Sequence, residues 1–484
     1  SWYREYPMIE DHFARVNTAL TRGEAVSRVA VLHPMRSMWT LMGDKEHNGG
    51  LISDLDDSFR TLSEWLLRGQ IDFDYISESL VDELYEKTEN GLKIGKMTYD
   101  VLVIPPVYTL HSTMQTVIKE FLARGGKVIY TGEIPALTDG KPSDEPKRIL
   151  SKAKRVPFDR SAVLSELEEV REVDIRHDNG TRPTNYIYNM RRDGNDKWLF
   201  IANGDKPSRM NGNDGVPTNL IVTVNGNYKP ELYDTLSGEI IKDIPFVASG
   251  GKTKIPFTVF AYDSLLLKLI PTFDGDKYEK KSTEEKHTRE VRFFDKVGYI
   301  LDEPNVLLLD MPEWSMDGKA YEPREEMLRI DAKIRKIYGY PAADGNDVQP
   351  WKIKEPSPDK FPYLRFTFDS EIELSGCKFA YERATELYLN GEKVDIEPNG
   401  YFSDSEIYTT DLPTIKKGKN VLVVRAPISK RISLENVFIL GNFGVKVEGT
   451  HARVTPLADR IAFGSITDQG LPFYGGKITY ILPI

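Results

Sequence analysis

A single cysteine, Cys377, stands in 484 residues. One thiol excludes an intramolecular disulfide, and its strand-like neighbours, Ile372 to Phe379, give it the place of a small buried hydrophobe rather than a nucleophile. No apolar run approaches the ~18 residues of a membrane helix. Basic excess is missing as well. Lys and Arg number 64 against 74 Asp and Glu, a net charge of −10, so the basic face that a phosphate backbone requires does not stand out and no nucleic-acid partner is expected. The seven histidines (His12, His33, His47, His111, His177, His287, His451) include no pair at metal-ligand spacing. Neither a metal nor a cofactor is expected. The start lacks the charged-then-apolar order of a signal peptide, which leaves the compartment open. Ser1-Trp2-Tyr3-Arg4 runs into a helix with nothing before it to pack on, and the chain reads as a piece of a longer protein.

What is present suffices for several packed cores: hydrophobic residues are 40% and aromatics 11%, a length and composition suited to three or four domains. Ile9, Phe13, Val16 and Leu20 fall at helical spacing between Pro7 and Arg22, with Gly23 as the stop. Strand and helix then alternate. Val29-Ala30-Val31-Leu32 and Val101-Leu102-Val103-Ile104 are runs typical of strands buried on both faces. Ile71 to Ile76 and Lys127 to Tyr130 add two more. Leu55, Phe59, Leu62 and Leu66 mark a helix starting near Ser53, and Met114, Val117, Ile118, Phe121 and Leu122 mark another. This order predicts a parallel sheet of the flavodoxin or amidotransferase type. After about Arg155 the period falls to two. Tyr186 to Met190 and Trp198 to Ala202 flank the Asp193-Gly194 turn, and a β-sandwich is expected to end near Pro271. Lys- and Glu-rich residues from Asp274 to Glu290 read as a linker. The remainder is mostly short strands with Gly and Asn turns, the pattern of a jelly roll, interrupted by an amphipathic segment (Met327, Ile330, Ile334, Ile337). The final run from Lys477 has no sequence partner.

Ligands of open parallel sheets bind beyond the carboxyl ends of the strands, where this sequence places His33, Pro105-Pro106 and Glu133. An amidotransferase of this layout needs a cysteine nucleophile on a tight strand-to-helix turn, and the domain contains none, so that chemistry is excluded. A phosphate loop would need Gly, Ser or Thr after the first strand; His33-Pro34-Met35-Arg36 is not one, and Gly49-Gly50 reads as a flexible loop. Asp54-Leu55-Asp56-Asp57 lacks the Gly and distal Glu of a calcium loop and reads as the acidic first turn of a helix capped by Ser53. Glycoside hydrolysis needs two carboxylates across one bond, and among 74 acidic residues the sequence selects no pair. Trp314 and Trp351 lie in turn-rich segments and are the candidate carbohydrate-binding residues, as stacking platforms; the alternative for each is packing against strands.

Several runs resemble a known family. Val29 to Pro34, Tyr99 to Pro105 and Phe121 to Val128 resemble the amidotransferase-like domain that follows the catalytic barrel in family 42 β-galactosidases and family 106-type α-L-rhamnosidases. Trp2 to Gly23 is similar to the last barrel helix of those enzymes. Pro230 to Asp234, Ser237-Gly238-Glu239 and Tyr262 to Leu265 resemble the β-sandwich that comes next. Glu386 to Glu392, with its LNG, and Lys417 to Val424, with its GKN, resemble the galactose-binding-type jelly roll shared with family 2 sugar-binding domains. Gly470 to Gly476 is similar to the opening of a second such module. The resemblance implies a division into 1–24, a trailing helix of a missing barrel; 25–155, the α/β domain; 156–272, a β-sandwich; 273–290, a linker; 291–470, a jelly roll; and 471–484, the start of a further β module. It also implies an accessory, non-catalytic region of a glycoside hydrolase, with carbohydrate and the barrel of the same protein as partners and no catalytic residue of its own. A homo-oligomer stays open. A stand-alone carbohydrate-binding or interaction protein is the alternative, and a cryptic enzyme in the parallel-sheet domain is the third.

Overall fold

Two sets of alternating apolar side chains organise the first part of the chain. In β1 (Val29–His33), Ala30 and Leu32 enter one hydrophobic cluster while Val29 and Val31 enter another. A strand buried on both faces needs a helix layer on each side, and both layers are present. The computed structural model, which describes residues 5–43, 45–205, 216–279, 295–342 and 357–482, places α4 (Ser112–Ala123) over the first cluster. Over the second it places α3 (Lys45–Arg68) and α5 (Arg160–Glu166). The sheet has five parallel strands: β1, β2 (Phe73–Ser77), β3 (Val101–Ile104), β4 (Lys127–Thr131) and β5 (Lys154–Val156), in the order β5-β4-β3-β1-β2. Read from the other edge this is 2-1-3-4-5, with its switch point between β1 and β3.

Three local expectations are corrected here. The fifth strand, Lys154–Val156, extends the sheet past the expected end at Arg155, and Val163, Leu167 and Val170 complete its core. An edge strand with two charged residues out of three leaves no apolar run to read. Helix α3 begins at Lys45, not near Ser53. Gly49-Gly50 therefore lie inside a helix, and Asp54 to Asp57 lie mid-helix, where Asp57 pairs with Arg60 (2.5 Å). The apolar face is strong enough to override the helix cost of the two glycines. Between β1 and α3, a further helix, α2 (Met35–Leu41), follows His33 directly.

Ahead of the sheet, α1 (Tyr6–Leu20) packs Ala19 with Trp198 and Leu266 of a β-sandwich. Gly23, at φ +53°, then turns the chain into Glu24–Ala25, which pairs with Tyr186–Asp193. A Cβ at Gly23 would stand 1.9 Å from the Arg192 carbonyl oxygen, so only glycine fits. The sandwich itself has a six-stranded and a five-stranded sheet enclosing one core, including Met190, Leu199, Val222, Ile255 and Leu267. Its hairpin between Tyr186–Asp193 and Asp196–Asn203 closes over Gly194-Asn195, one residue beyond the expected Asp193-Gly194 turn, because Asp193 still pairs with Asp196. Glu5–Lys286 make up this compact unit. Lys277–Tyr278, inside the expected linker, forms an edge strand of the sandwich; the rest of that linker from residue 280 lies outside the described residues.

The other unit takes in His287–Ile484. Two further sheets face each other here. One is built on Asn305–Leu309, Val437–Gly441, Lys378–Tyr381 and Asp404–Asp411, and the other on Glu386–Leu389, Gly418–Arg425, Tyr363–Ser370 and His451–Thr455. Leu307, Phe379 and Ile439 of the first share a core with Leu364, Leu387 and Leu422 of the second. Helix α6 (Met327–Tyr338) adds Met327, Ile330 and Ile334 to it, while Ile337 faces outward. Glu326 caps this helix by accepting from the amides of Leu328 (3.0 Å) and Arg329 (3.1 Å). The last strand, Ile478–Ile481, has a partner after all: it pairs antiparallel with Val297–Leu301, which also pairs with Arg460–Ile461. Gly470 is not a boundary either. Its carbonyl accepts from Asn305 Nδ2 (3.0 Å), and the buried Tyr474 donates to Asp302 (2.8 Å). Residues separated by more than a hundred positions supply these partners, which is why the sequence alone left the strand unpaired.

Candidate functional site

The rim beyond the carboxyl ends of β1 and β3 is where such a sheet would hold a ligand. Here the two loops are stitched together. Ser37, on α2, accepts hydrogen bonds from the amides of Tyr108 (2.9 Å) and Thr109 (3.1 Å) and donates to the Thr109 carbonyl (3.2 Å). Because α2 starts immediately after His33, no loop remains to cradle a phosphate. The His33 ring lies against Phe59 (5.1 Å) and Tyr75 (5.8 Å), and burial lowers its pKa. It is a strand-end residue in an aromatic cluster. Glu133, the other sequence candidate, is an exposed surface group paired with Arg155 (2.5 Å).

The residue that sequence reasoning missed is Glu78, just after β2. It is 3% exposed and accepts from the His111 amide at 2.8 Å. Burial pushes its carboxyl up to about 7; the His111 amide and nearby Arg36 work against that shift, and Asp139 adds to it. Asp139 sits at φ +50° and accepts from the Ser112 amide (3.0 Å) at the start of α4. Burial raises Asp139, yet the Ser112 hydrogen bonds, with His111 and Arg36 nearby, hold it below the usual carboxylate range. Two carboxyls thus sit in one rim with opposite shifts, Asp139 lowered by its Ser112 hydrogen bonds and Glu78 raised to about 7 by burial. Its contact is a backbone amide, so the side chain holds the segment leading into α4. The only signal in the sequence is its position after a strand.

In the second unit the LNG and GKN motifs meet. Asn390, at φ +53°, accepts from the Val421 amide (2.9 Å) and donates to Asn420 (2.9 Å). Asn420 is fully buried and donates to the carbonyls of Lys416 (2.7 Å) and Gly418 (3.1 Å). All these partners are turn and strand groups, so the motif pair is a latch between two hairpins. Asparagine is suited to it, tolerating the left-handed region and offering both donor and acceptor. Trp314 is 6% exposed and packs in the core beside Leu364, to which its strand is paired. Its ring therefore serves packing and presents no open stacking face. Trp351 lies outside the described residues. Cys377 is buried, and burial pushes its thiol up to about 11, the opposite of a reactive thiolate. Among the described residues no cluster of His, Cys, Asp and Glu is arranged to hold a metal ion, and no helix is long and apolar enough to cross a membrane.

No protein-family model and no curated protein matches the chain. Solved structures do. The neighbours are glycoside hydrolases. A rhamnosidase from Novosphingobium sp. PP1Y is 14% identical with a TM-score of 0.41, over 89% of this chain and 37% of its own. The α-L-fucosidase isoenzyme 2 from Paenibacillus thiaminolyticus is 14% identical with a TM-score of 0.32, over 51% of this chain and 49% of its own. A β-galactosidase from Bacillus circulans sp. alkalophilus is 12% identical with a TM-score of 0.33, over 50% and 41%. The chain thus spans less than half the length of each of these proteins.

Proposed function

We propose that this chain is an accessory, non-catalytic region of a carbohydrate-active glycoside hydrolase of the rhamnosidase-like group, bracing a catalytic barrel of the same protein and shaping its rim. The observation that carries this reading is the rim of the parallel sheet. Its switch point is bridged by Ser37, and its polar groups are spent on the backbone of the segment before α4. Function resides in sites rather than in the fold, and a switch point closed in this way suits a supporting role. The row of exposed apolar side chains on α1, Tyr6, Ile9 and Phe13, suits a helix that is covered in the complete protein. The LNG and GKN latch fits the galactose-binding-type module that the sequence resembles.

The purified chain is expected to release no 4-nitrophenol from 4-nitrophenyl α-L-rhamnopyranoside or β-D-galactopyranoside above a buffer blank. Turnover that is abolished by replacing an acidic residue of this chain would overturn the reading.

A further inference from the structure

Between α1 and the outer face of the first sandwich lies a cavity of about 570 Å³, inside the roughly 300–1,000 Å³ range of small-molecule sites. Its apolar wall is Trp198 and Tyr233, set edge to face with ring centres 4.9 Å apart, together with Leu266 and Ile240. Charged groups ring the mouth in pairs: Arg22 with Asp193 (2.5 Å), and Arg15 with Asp11 (3.3 Å). Lys268 lies 3.0 Å from Asp196 and leans over the Trp198 ring. Three lining cations, Arg15, Arg22 and Lys268, face three lining carboxylates, Asp11, Asp193 and Asp234. The rim therefore has no net charge to attract an ion.

Paired ions hold their geometry and still offer spare lone pairs and N–H donors, because a carboxylate can accept several hydrogen bonds and a guanidinium can donate five. The Tyr233 hydroxyl makes no hydrogen bond among the described residues and adds one more group to the cavity. An aromatic wall beneath a neutral ring of donors and acceptors matches a molecule with an apolar C–H face and a hydroxyl edge. From this we infer that the α1–sandwich cavity is a binding site for a neutral saccharide of mono- or disaccharide size. The inference rests on the carbohydrate-active reading above and gives it a site that the buried Trp314 does not supply.

The charge state of the rim is fixed over a wide range. The Arg22 hydrogen bond holds Asp193 below the usual carboxylate range, and the Ser237 hydrogen bond does the same for Asp234. Both stay ionised from pH 5 to pH 8, so affinity should be flat across that interval.

The test uses the full chain with methyl α-D-glucopyranoside, methyl β-D-galactopyranoside and methyl α-L-rhamnopyranoside, each titrated singly by calorimetry and by saturation-transfer NMR. At least one should bind saturably. Ala14→Trp fills the mouth from an exposed helix position and should weaken that binding about tenfold or more with the melting temperature unchanged. Arg22→Ala, at a solvent-facing side chain, should weaken it by about fivefold and is the deciding variant should Ala14→Trp lower the melting temperature. Binding untouched by these changes would put the sugar elsewhere and overturn the site, leaving the carbohydrate reading intact. Failure of all three probes to bind would overturn the site too, and the accessory reading would still be judged by its own turnover assay. Preference for sodium galacturonate over every neutral probe would overturn the ligand class.

Discussion

Two buried carboxyls, Asp331 in the second unit and Glu78 in the first, are handled in opposite ways. In the second, Arg335 and Asp331 are 2% and 4% exposed and fully engaged. Arg335 donates to Asp331 (2.6 Å), to the carbonyls of Lys430 (3.0 Å) and Ile432 (3.1 Å) and to Ser433 (3.0 Å), and Asp331 also accepts from the Leu434 amide (2.9 Å). In the first, Glu78 is as deeply buried but, among the described residues, has only the His111 amide as a hydrogen-bond partner, and the half-buried Asp72 is likewise raised to about 7 by burial and by Asp74. A charge pair with every guanidinium donor and both carboxylate oxygens engaged ties α6 to the 430–434 segment. A buried carboxyl without such a pair has its pKa raised by desolvation, which makes folding depend on pH. Burial alone does not set the role of a charge; the partners do.

The largest effect should come from breaking the complete pair. Arg335→Met leaves Asp331 buried without its cation and should cost the second unit about 3–5 kcal/mol in a denaturant titration. Replacing both, Asp331→Leu with Arg335→Met, should recover much of that loss. A double variant no better than the single one would show that the 430–434 segment depends on Arg335 itself.

Next in size is the pH dependence of the first unit. The folded-state pKa of Glu78 lies above that of an exposed glutamate, so folding takes up a proton between the two values. Stability from this group is complete below about pH 4.5, falls as pH rises, and levels off above about pH 7, a total of order 3 kcal/mol. Glu78→Gln keeps the neutral shape and the acceptor for His111, so it should match the parent at pH 4 and exceed it at pH 8. Asp72, raised to about 7 as well, titrates in an overlapping window and leaves a residual slope of comparable size in the variant. Equal pH profiles for parent and variant would mean that Glu78 is ionised in the folded state.

The smallest effect sharpens the comparison with a neutral network. Asn420→Ala removes the buried amide that spans the LNG and GKN turns and should cost about 1–3 kcal/mol at every pH, because no titrating group is involved. Thermal melts at pH 5 and pH 8 check this; a loss that differs between them would contradict a purely hydrogen-bonded latch.

Local pattern accounts for much of the fold. The β1 and β3 runs, the Met114–Phe121 face of α4 and the Gly194 turn could be read directly, because each carries its periodicity or turn chemistry within a few residues. What failed had a distant cause. Lys154–Val156 is a strand only because β4 offers it an edge, and Gly49-Gly50 are helical although the buried face of α3 begins only at Leu55. Trp314 looked like a surface platform from its prolines and turns, and the sheet at Leu364 took it inside. The polar cluster of Glu78, Asp139 and His111 was illegible, since three chain segments bring it together and none has a motif.

By itself, then, the sequence determined the element types, the succession of a parallel sheet and β-rich regions, and the buried place of Cys377, since these follow from apolar spacing and side-chain chemistry near in the chain. Tertiary structure alone decided which carboxyl keeps its proton, which strand receives Ile478–Ile481, and that α1 and the sandwich enclose a cavity. Desolvation, edge pairing and enclosure depend on groups separated by tens to hundreds of residues, and no local pattern encodes who those neighbours will be.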